Sequence, residues 1–493
     1  MISRIVKDRF ATGIALAEHK AATAERPIEN LPLPERVFVS MRQHIGIPAE
    51  PLVRIGQAVH KGQFIGASPG GVSAPVHAPT SGRIVAVGPH VAAHASGLSV
   101  PTVTIEADGR DEWGPLPPPL DPDATPAANL VRRIGDCGVV GMGGAAFPSA
   151  AKLELRHRHQ LHTLVINGAE CEPYLTADDR LMREHAAEIV DGARILQRIV
   201  NVPRVRIAIE ANKPGALAAM RDAAAAWKDI EIVATPARYP GGAEKQLVYW
   251  LTGREAPSQG LPADVGTLVH NVATAFAVRE AVRFGRPLIT RVVTVSGGAV
   301  RSPANLRVPV GAPVGALLGH CGGLRAEPAR IVVGGPMMGE HVSDLQAPIV
   351  KGANGVLALT RSEISVKPEM PCIRCGDCLG ACPVGLEPQA LANLIRKERL
   401  EAAVEIGLYD CISCGACAWV CPSHLPLVQY FQYAKGRLAE IGGVRAHQAE
   451  LQRLTKQREE RLERLEREKE EARARRAAAR VEQTATKAEA TPP

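Results

Sequence analysis

Two cysteine runs constrain this chain more than any other feature. PCIRCGDCLGACP supplies Cys372, Cys375, Cys378 and Cys382 at the spacing C-x2-C-x2-C-x3-C-P, and YDCISCGACAWVCP repeats it with Cys411, Cys414, Cys417 and Cys421. Three thiolates two residues apart can wrap one corner of an iron–sulfur cubane, after which the chain must turn away, as Pro383 and Pro422 encourage. Where two such runs occur together, the fourth cysteine of each ligates the other run's cluster. The spacing therefore predicts two [4Fe–4S] clusters, one on Cys372, Cys375, Cys378 and Cys421 and the other on Cys382, Cys411, Cys414 and Cys417. Gly376 and Gly415 let backbone N–H groups approach the cluster sulfurs. Four-cysteine zinc binding is the alternative, but zinc rarely takes eight cysteines as two identical runs. Between the runs, GLEPQALANLIRKERLEAAVEIG predicts helix that sets the distance between the clusters.

Of the 11 cysteines, only Cys137, Cys171 and Cys321 lie outside these runs, and each reads as a small buried hydrophobe. The N-terminus lacks the apolar core of a secretory signal, and no run of about 18 apolar residues occurs anywhere. The expectation is a cytoplasmic chain, where thiols meet metals rather than forming disulfides, with any membrane attachment peripheral. A net charge of +7 suits an anionic surface, such as an acidic redox partner or lipid headgroups. An aromatic content of 3% argues against a stacking platform for nucleic acid.

With 493 residues, several separately packed units are expected. Residues 1–112 contain short apolar stretches divided by turn signals, LVRIGQAVHKGQFIGA and SAPVHAPTSGRIVAVG, which suggest a barrel-sandwich of the lipoyl or biotinyl type. Its turn at Ala78–Gly82 has no lysine to modify, so packing or docking is expected of it rather than a swinging arm. A proline-rich linker, 113–126, follows. Over 127–286, the apolar runs Thr163–Ile166, Val205–Glu210 and Ile230–Thr235 alternate with helical patterns, predicting an α/β domain with a largely parallel sheet. Ligands in such sheets bind beyond the carboxyl ends of the strands. GVVGMGGAAFPSAAKL offers a glycine-rich turn that reads either as a phosphate cradle or as a plain strand-to-helix turn. Asn167, Glu170, Glu172 and Asp179 follow one strand end, and YPGGAEKQL and HNVATA add polar groups at equivalent turns. A shorter unit of strands, 287–360, precedes the cysteine segment, 361–440, and 441–493 reads as a charged solvated helix ending in a disordered tail.

GMGGAAFPSAAKL, NGAECEPY, YPGGAEKQL and HNVATA together resemble the flavin-binding subunit of respiratory complex I. The resemblance implies that these segments hold FMN and admit NADH beside it, through Gly141, Gly143, Gly144, Lys152, Asn167, Glu170, Glu172, Tyr239, Gly242, Glu244, Asn271 and Thr274. Met142 stands where that family has an arginine, Ala169 where an acid is usual, and Ala243 where it has a second glutamate. The unit from Arg291 to Gly339 resembles the ubiquitin-like SLBB module that follows the flavin domain in the same family.

Barrel-sandwich, flavin-type α/β domain, SLBB module and two-cluster ferredoxin domain, in that order, resemble the RnfC family of the Rnf complex. FATGIALAEHK, GIPAEPLVRIGQAVHKGQFIG, SAPVHAPTSG and GGPMMG carry this resemblance too. It implies a multidomain α/β and α+β protein, peripheral on the cytoplasmic face of the cell inner membrane, within a membrane-bound ion-translocating NADH/ferredoxin oxidoreductase. Electrons would pass between NAD(H), FMN and the two clusters, with the other Rnf subunits and ferredoxin or a similar redox protein as partners. A flavin is needed because hydride carries two electrons and each cluster accepts one. The rivals are a soluble flavin/iron–sulfur corrinoid reductase and a cluster-bearing wire and scaffold without nucleotide binding.

Overall fold

The computed structural model describes residues 13–489 apart from Ala95 and Val366, with the backbone alone for Ala446 and residues 480–489. The first three residues of FATGIALAEHK and the tail expected to be disordered beyond Glu489 lie outside the described residues.

Alternating inward residues build the first unit. Val37 and Val39 of the strand Arg36–Ser40, Ile84 of Gly82–Val91, and Val103 and Ile105 of Ser99–Ala107 fill one core with Ile65 and Val76 from a facing three-stranded sheet. This period-2 burial makes a sandwich. The turn Ala78–Gly82 is buried throughout, as a packing hairpin requires.

The α/β domain has four parallel strands in the order Ile230–Thr235, Arg204–Glu210, Thr163–Gly168, Thr267–Asn271. Three are the predicted apolar runs; the fourth is a strand where the sequence suggests only a polar turn. Leu164, Ile166, Ile207, Ile209 and Leu268 face one helical layer, while Val165, Ala208 and Val269 face the helix Glu244–Thr252. Burial on both faces explains the apolar run at Thr163–Ile166 inside the sheet, whereas the edge strand Ile230–Thr235 leaves Glu231 exposed. The chain builds outward from Thr163–Gly168 on one side and returns with Thr267–Asn271 on the other, so Asn167 and Asn271 flank the topological switch point. The long helical pattern after Asp178 is two helices, Ala177–Glu184 and Ala186–Val200, broken at His185.

The third unit is a mixed six-stranded sheet with the helix Val314–His320 against it. Its edge strand is Ile28–Asn30, paired parallel to Ala304–Pro309. The segment before Arg36 therefore leaves the sandwich, crosses the α/β domain and completes a distant sheet, satisfying an otherwise open edge.

In the cysteine unit, the expected single helix between the runs is two, Pro388–Arg396 and Leu400–Glu405, separated where Glu398 takes a positive φ of 53°. Leu391, Ile395, Leu400 and Ala403 form its core with Leu427, Phe431 and Ala434. Those last three begin a single helix, Leu427–Glu489, that starts earlier than the charged stretch does. Apolar docking of its first turns supplies the nucleus from which the exposed, ion-paired part propagates. No helix among the described residues is long and apolar enough to cross a membrane.

Candidate functional site

The glycine-rich turn closes on itself through the Gly141 N–H, which donates to the Phe147 carbonyl at 2.8 Å. Met142 is buried, and its N–H donates to Thr274 Oγ1 at 2.9 Å. Gly143, Gly144 and Ala145 are exposed, and their N–H groups make no hydrogen bond among the described residues. Gly144 has a φ of +104° with open space where a Cβ would stand, so glycine serves conformation there rather than room. Lys152, on the short helix that follows, pairs with Glu244 at 2.7 Å.

At the carboxyl ends of the strands, Asn167 donates through Nδ2 to the Gly242 carbonyl at 2.8 Å and accepts from the Ala169 N–H at 3.0 Å. Asn271 caps the helix Val272–Phe284 by accepting from the Ala273 N–H at 2.9 Å, and its Nδ2 donates to Asp178 at 2.6 Å. Glu170 is buried, and its carboxylate accepts from the N–H groups of Asp178 and Asp179 at 3.0 and 3.3 Å. Lys20 and Lys213 both donate to the Glu170 carbonyl, and Lys213 also pairs with buried Glu210. Burial pushes the Glu170 carboxyl up and the Lys20 ammonium down, and their mutual attraction opposes both shifts.

Lys20, Lys213, Glu210 and Asp178 were missed by sequence reasoning. Lys20 closes the FATGIALAEHK segment with no motif to give it a role, and the others sit in helical or strand pattern with nothing in the spacing to mark them.

Glu172 lies where the α/β domain meets the third unit: its Oε2 accepts from the Met337 N–H at 3.0 Å, while its buried Oε1 has no partner among the described residues. Burial pushes its carboxyl up to about 7. Tyr239 is buried, and its hydroxyl donates to the backbone carbonyl of Cys414. Cys171, half-buried rather than fully buried as expected, accepts from the Gly242 N–H at 3.4 Å. Cys137 and Cys321 are buried.

The structure brings Cys382, Cys411, Cys414 and Cys417 together around one small pocket walled by Pro383, Leu386, Ile412 and Phe431. Cys378 lies close enough to Cys375 and Cys421 to feel their charges, as a crossed pairing would require of these three. The two runs also share backbone conformation: Arg374 and Ser413 have φ of 57° and 55°, and Gly376 and Gly415 have 85° and 80°. The kink at Ser413 directs its N–H towards Cys411 Sγ at 3.4 Å, and the Leu386 N–H donates to Cys382 Sγ at 3.3 Å. An apolar pocket ringed by four thiols with N–H donors on the sulfurs fits a cubane cluster. Burial pushes the Cys414 and Cys417 thiols up to about 11 and 12, so it is the metal that would make them thiolates. Cys414 and Cys417 are buried, Cys414 against Tyr239 of the α/β domain, whereas Cys372 and Cys375 are exposed.

The crevice also fits a flavin nucleotide. It offers free N–H groups on the glycine turn, and near that turn and the strand ends the buried Ser149 Oγ, Thr235 Oγ1 and His270 Nε2 lack a protein partner among the described residues.

Four family models match the chain in series: the RnfC barrel sandwich hybrid domain over residues 8–110, the Nuo51 FMN-binding domain over 134–280, the SLBB domain over 292–340 and the 4Fe-4S dicluster domain over 370–425. The C subunit of an ion-translocating oxidoreductase complex from Rhodobacter capsulatus is 53% identical over 429 residues, 87% of this chain and 83% of the relative. The C subunit of the proton-translocating ferredoxin:NAD(+) oxidoreductase complex of Clostridium ljungdahlii is 45% identical over 428 residues, 86% of this chain and 93% of the relative. A solved chain of an NAD+-reducing [NiFe]-hydrogenase aligns at 19% identity and a TM-score of 0.45, over 60% of this chain and 63% of that one. At such identity over most of the length of these relatives, this chain belongs to the RnfC family, the C subunits of ion-translocating oxidoreductase complexes.

Proposed function

We propose that this chain is the subunit through which electrons pass between NADH and the rest of a membrane-bound ion-translocating complex, by way of FMN and then two [4Fe–4S] clusters. When bound, the flavin supplies the change from a two-electron hydride to single electrons, and each cluster carries one. Gly141, Gly143, Gly144, Lys152, Asn167, Gly242, Asn271 and Thr274 hold the flavin, with Glu170, Glu172, Tyr239 and Glu244 around the nicotinamide approach. Asn167 and Asn271 keep the crevice open at the switch point, each braced by a hydrogen bond from its own side chain. Lys20 and Lys213 hold Glu170 in place from behind. Cys382, Cys411, Cys414 and Cys417 form the inner cluster seat, and Cys372, Cys375, Cys378 and Cys421 form the outer one.

The observation that carries the order of transfer is the hydrogen bond from Tyr239 to the Cys414 carbonyl, which seats the inner cysteine set against the flavin crevice. The outer set, in which Cys372 and Cys375 are exposed, then faces the redox partner, ferredoxin or a protein like it. No helix among the described residues spans a membrane, which supports a peripheral position, on the cytoplasmic face in this proposal.

Anaerobic purification with flavin and iron analysis, followed by NADH addition under absorbance and EPR, tests the proposal. Flavin bleaching followed by two cluster signals supports it. Full iron without any flavin response refutes the nucleotide half.

A further inference from the structure

Lys351 is the most deeply buried charged side chain outside the crevice, at 1% exposure, and no carboxylate lies within ion-pairing distance of it among the described residues. Its Nζ donates to the Gly138 carbonyl at 2.7 Å and to the Pro75 carbonyl at 3.3 Å. Three units meet at that point: Pro75 and His77 from the sandwich hairpin, Gly138 at the start of the glycine turn, and Lys351 from the end of the third unit. A Cβ on Gly138 would lie 2.5 Å from the Pro75 oxygen and 2.7 Å from Lys351 Nζ, so the junction has no slack. The neighbouring titratable groups, His44, His77 and Cys137, all bear the mark of burial in their uncharged forms, and none is a counter-ion.

A second buried cation does the same four residues on. Arg291, at 3% exposure, donates through Nη2 to the Met142 carbonyl at 2.6 Å and through Nε to the Ala353 carbonyl at 2.7 Å, although its charge is shared with Asp178 and Glu170. The Ile45 N–H donates to the Ala146 carbonyl at 3.3 Å, and the Ser149 N–H to that of Val139 at 3.0 Å. The carbonyls of the turn are thus held on its inner side, while the N–H groups of Gly143, Gly144 and Ala145 stand exposed and unpartnered on the other among the described residues. Burial pushes the Lys351 ammonium down to about 7, and an anion across the turn would hold it in the charged form.

We propose that Lys351, assisted by Arg291, is a positioning residue that makes the turn Gly138–Ala146 a seat for the phosphate of the flavin, holding its carbonyls away and backing it with positive charge where Met142 supplies none. This rests on the flavin reading above and adds to it residues from outside the flavin domain. Lys351 touches no ligand itself; it acts through the peptide groups and the field behind them.

FMN and riboflavin differ by that phosphate alone, so the pair isolates the effect. With the full chain, its clusters reconstituted anaerobically, affinities for both are measured by fluorescence quenching. Wild type is expected to bind FMN at least about tenfold more tightly than riboflavin, and Lys351→Met to lose about tenfold of FMN affinity with riboflavin changed less than about twofold. Lys351→Arg, which keeps the charge, is expected to restore the preference. Equal loss of both flavins in Lys351→Met, or an unchanged FMN affinity, overturns the role of Lys351 while leaving the flavin reading standing. Should Lys351→Met fail to fold, wild type decides: FMN bound no tighter than riboflavin overturns the proposal, and binding of neither flavin overturns the flavin reading itself.

Discussion

The hydroxyl of Tyr239 donates to the backbone carbonyl of Cys414, joining a loop of the flavin-type domain to a cysteine 175 positions later in the chain. Around that bond, Tyr239 packs with Ala381, Cys414 and Ala416, flanked by Cys171, Met337 and Ile412. The junction is apolar and closed, which is the setting in which an unmade hydrogen bond costs most.

Replacing Tyr239 by phenylalanine should leave the Cys414 carbonyl buried without its donor. A loss of about 1–3 kcal/mol in the stability of the junction is expected, read as faster hydrogen exchange in both segments. Stopped-flow reduction by NADH should show the inner cluster filling more slowly at unchanged iron content. An unchanged rate would separate the bond from the transfer route.

The crossed grouping of thiols makes a sharp prediction about pairs. Cys382→Ala and Cys414→Ala should each lower iron from about eight to about four per chain and abolish the same EPR signal, while Cys421→Ala abolishes the other. Were Cys382→Ala to remove the signal lost in Cys375→Ala instead, the pairing would be uncrossed.

Glu172 gives the protein a defined dependence on pH. Burial raises its carboxyl from 4.5 to about 7, against the opposing N–H groups of Met337 and Met338. Between those values the folded state holds a proton that the unfolded state has released, so the unfolded state binds fewer protons and stability falls as pH rises through this window. The contribution is full below about 4.5 and lost above about 7, on the order of 3 kcal/mol in all. Glu172→Gln should flatten that part of a stability-against-pH curve measured by urea unfolding, and an unaltered slope would assign it to another group.

Lys213 and Glu210 form an ion pair with side chains only 3% and 2% exposed. Lys213→Met removes one partner and strands the other, so a loss of about 3–5 kcal/mol is expected in chemical denaturation. The double replacement Lys213→Met with Glu210→Leu should recover much of it, because two apolar groups can fill the same space without a lone charge. Failure of the double variant to recover would show that the pair is needed for local structure.

Much of the architecture was legible in the chain because its signals are local. Three of the four parallel strands are short runs rich in β-branched residues, and burial on both faces makes the central one, Thr163–Gly168, continuous. The fourth, Thr267–Asn271, hides because its polar end, His270 and Asn271, belongs to the site as much as to the strand. The strand Ile28–Asn30 was invisible: three residues carry no period, and its partner begins at Ala304. In the site, residues inside glycine- or cysteine-dense segments could be found by pattern, whereas Lys20, Lys213 and Lys351 are single lysines in ordinary surroundings, and only their tertiary contacts mark them out.

The sequence by itself determined the two cysteine loops, the alternation that builds the parallel sheet and the turn that opens the crevice, since each depends on spacing over a few residues. Tertiary structure alone decided that the inner thiols lie against Tyr239, that Glu172 bridges to Met337, and that Lys351 reaches the Gly138 carbonyl from 213 positions away. Those contacts join residues whose separation along the chain carries no periodic trace, and they exist because segments distant in sequence close on one another and must satisfy most of the polar groups they bury.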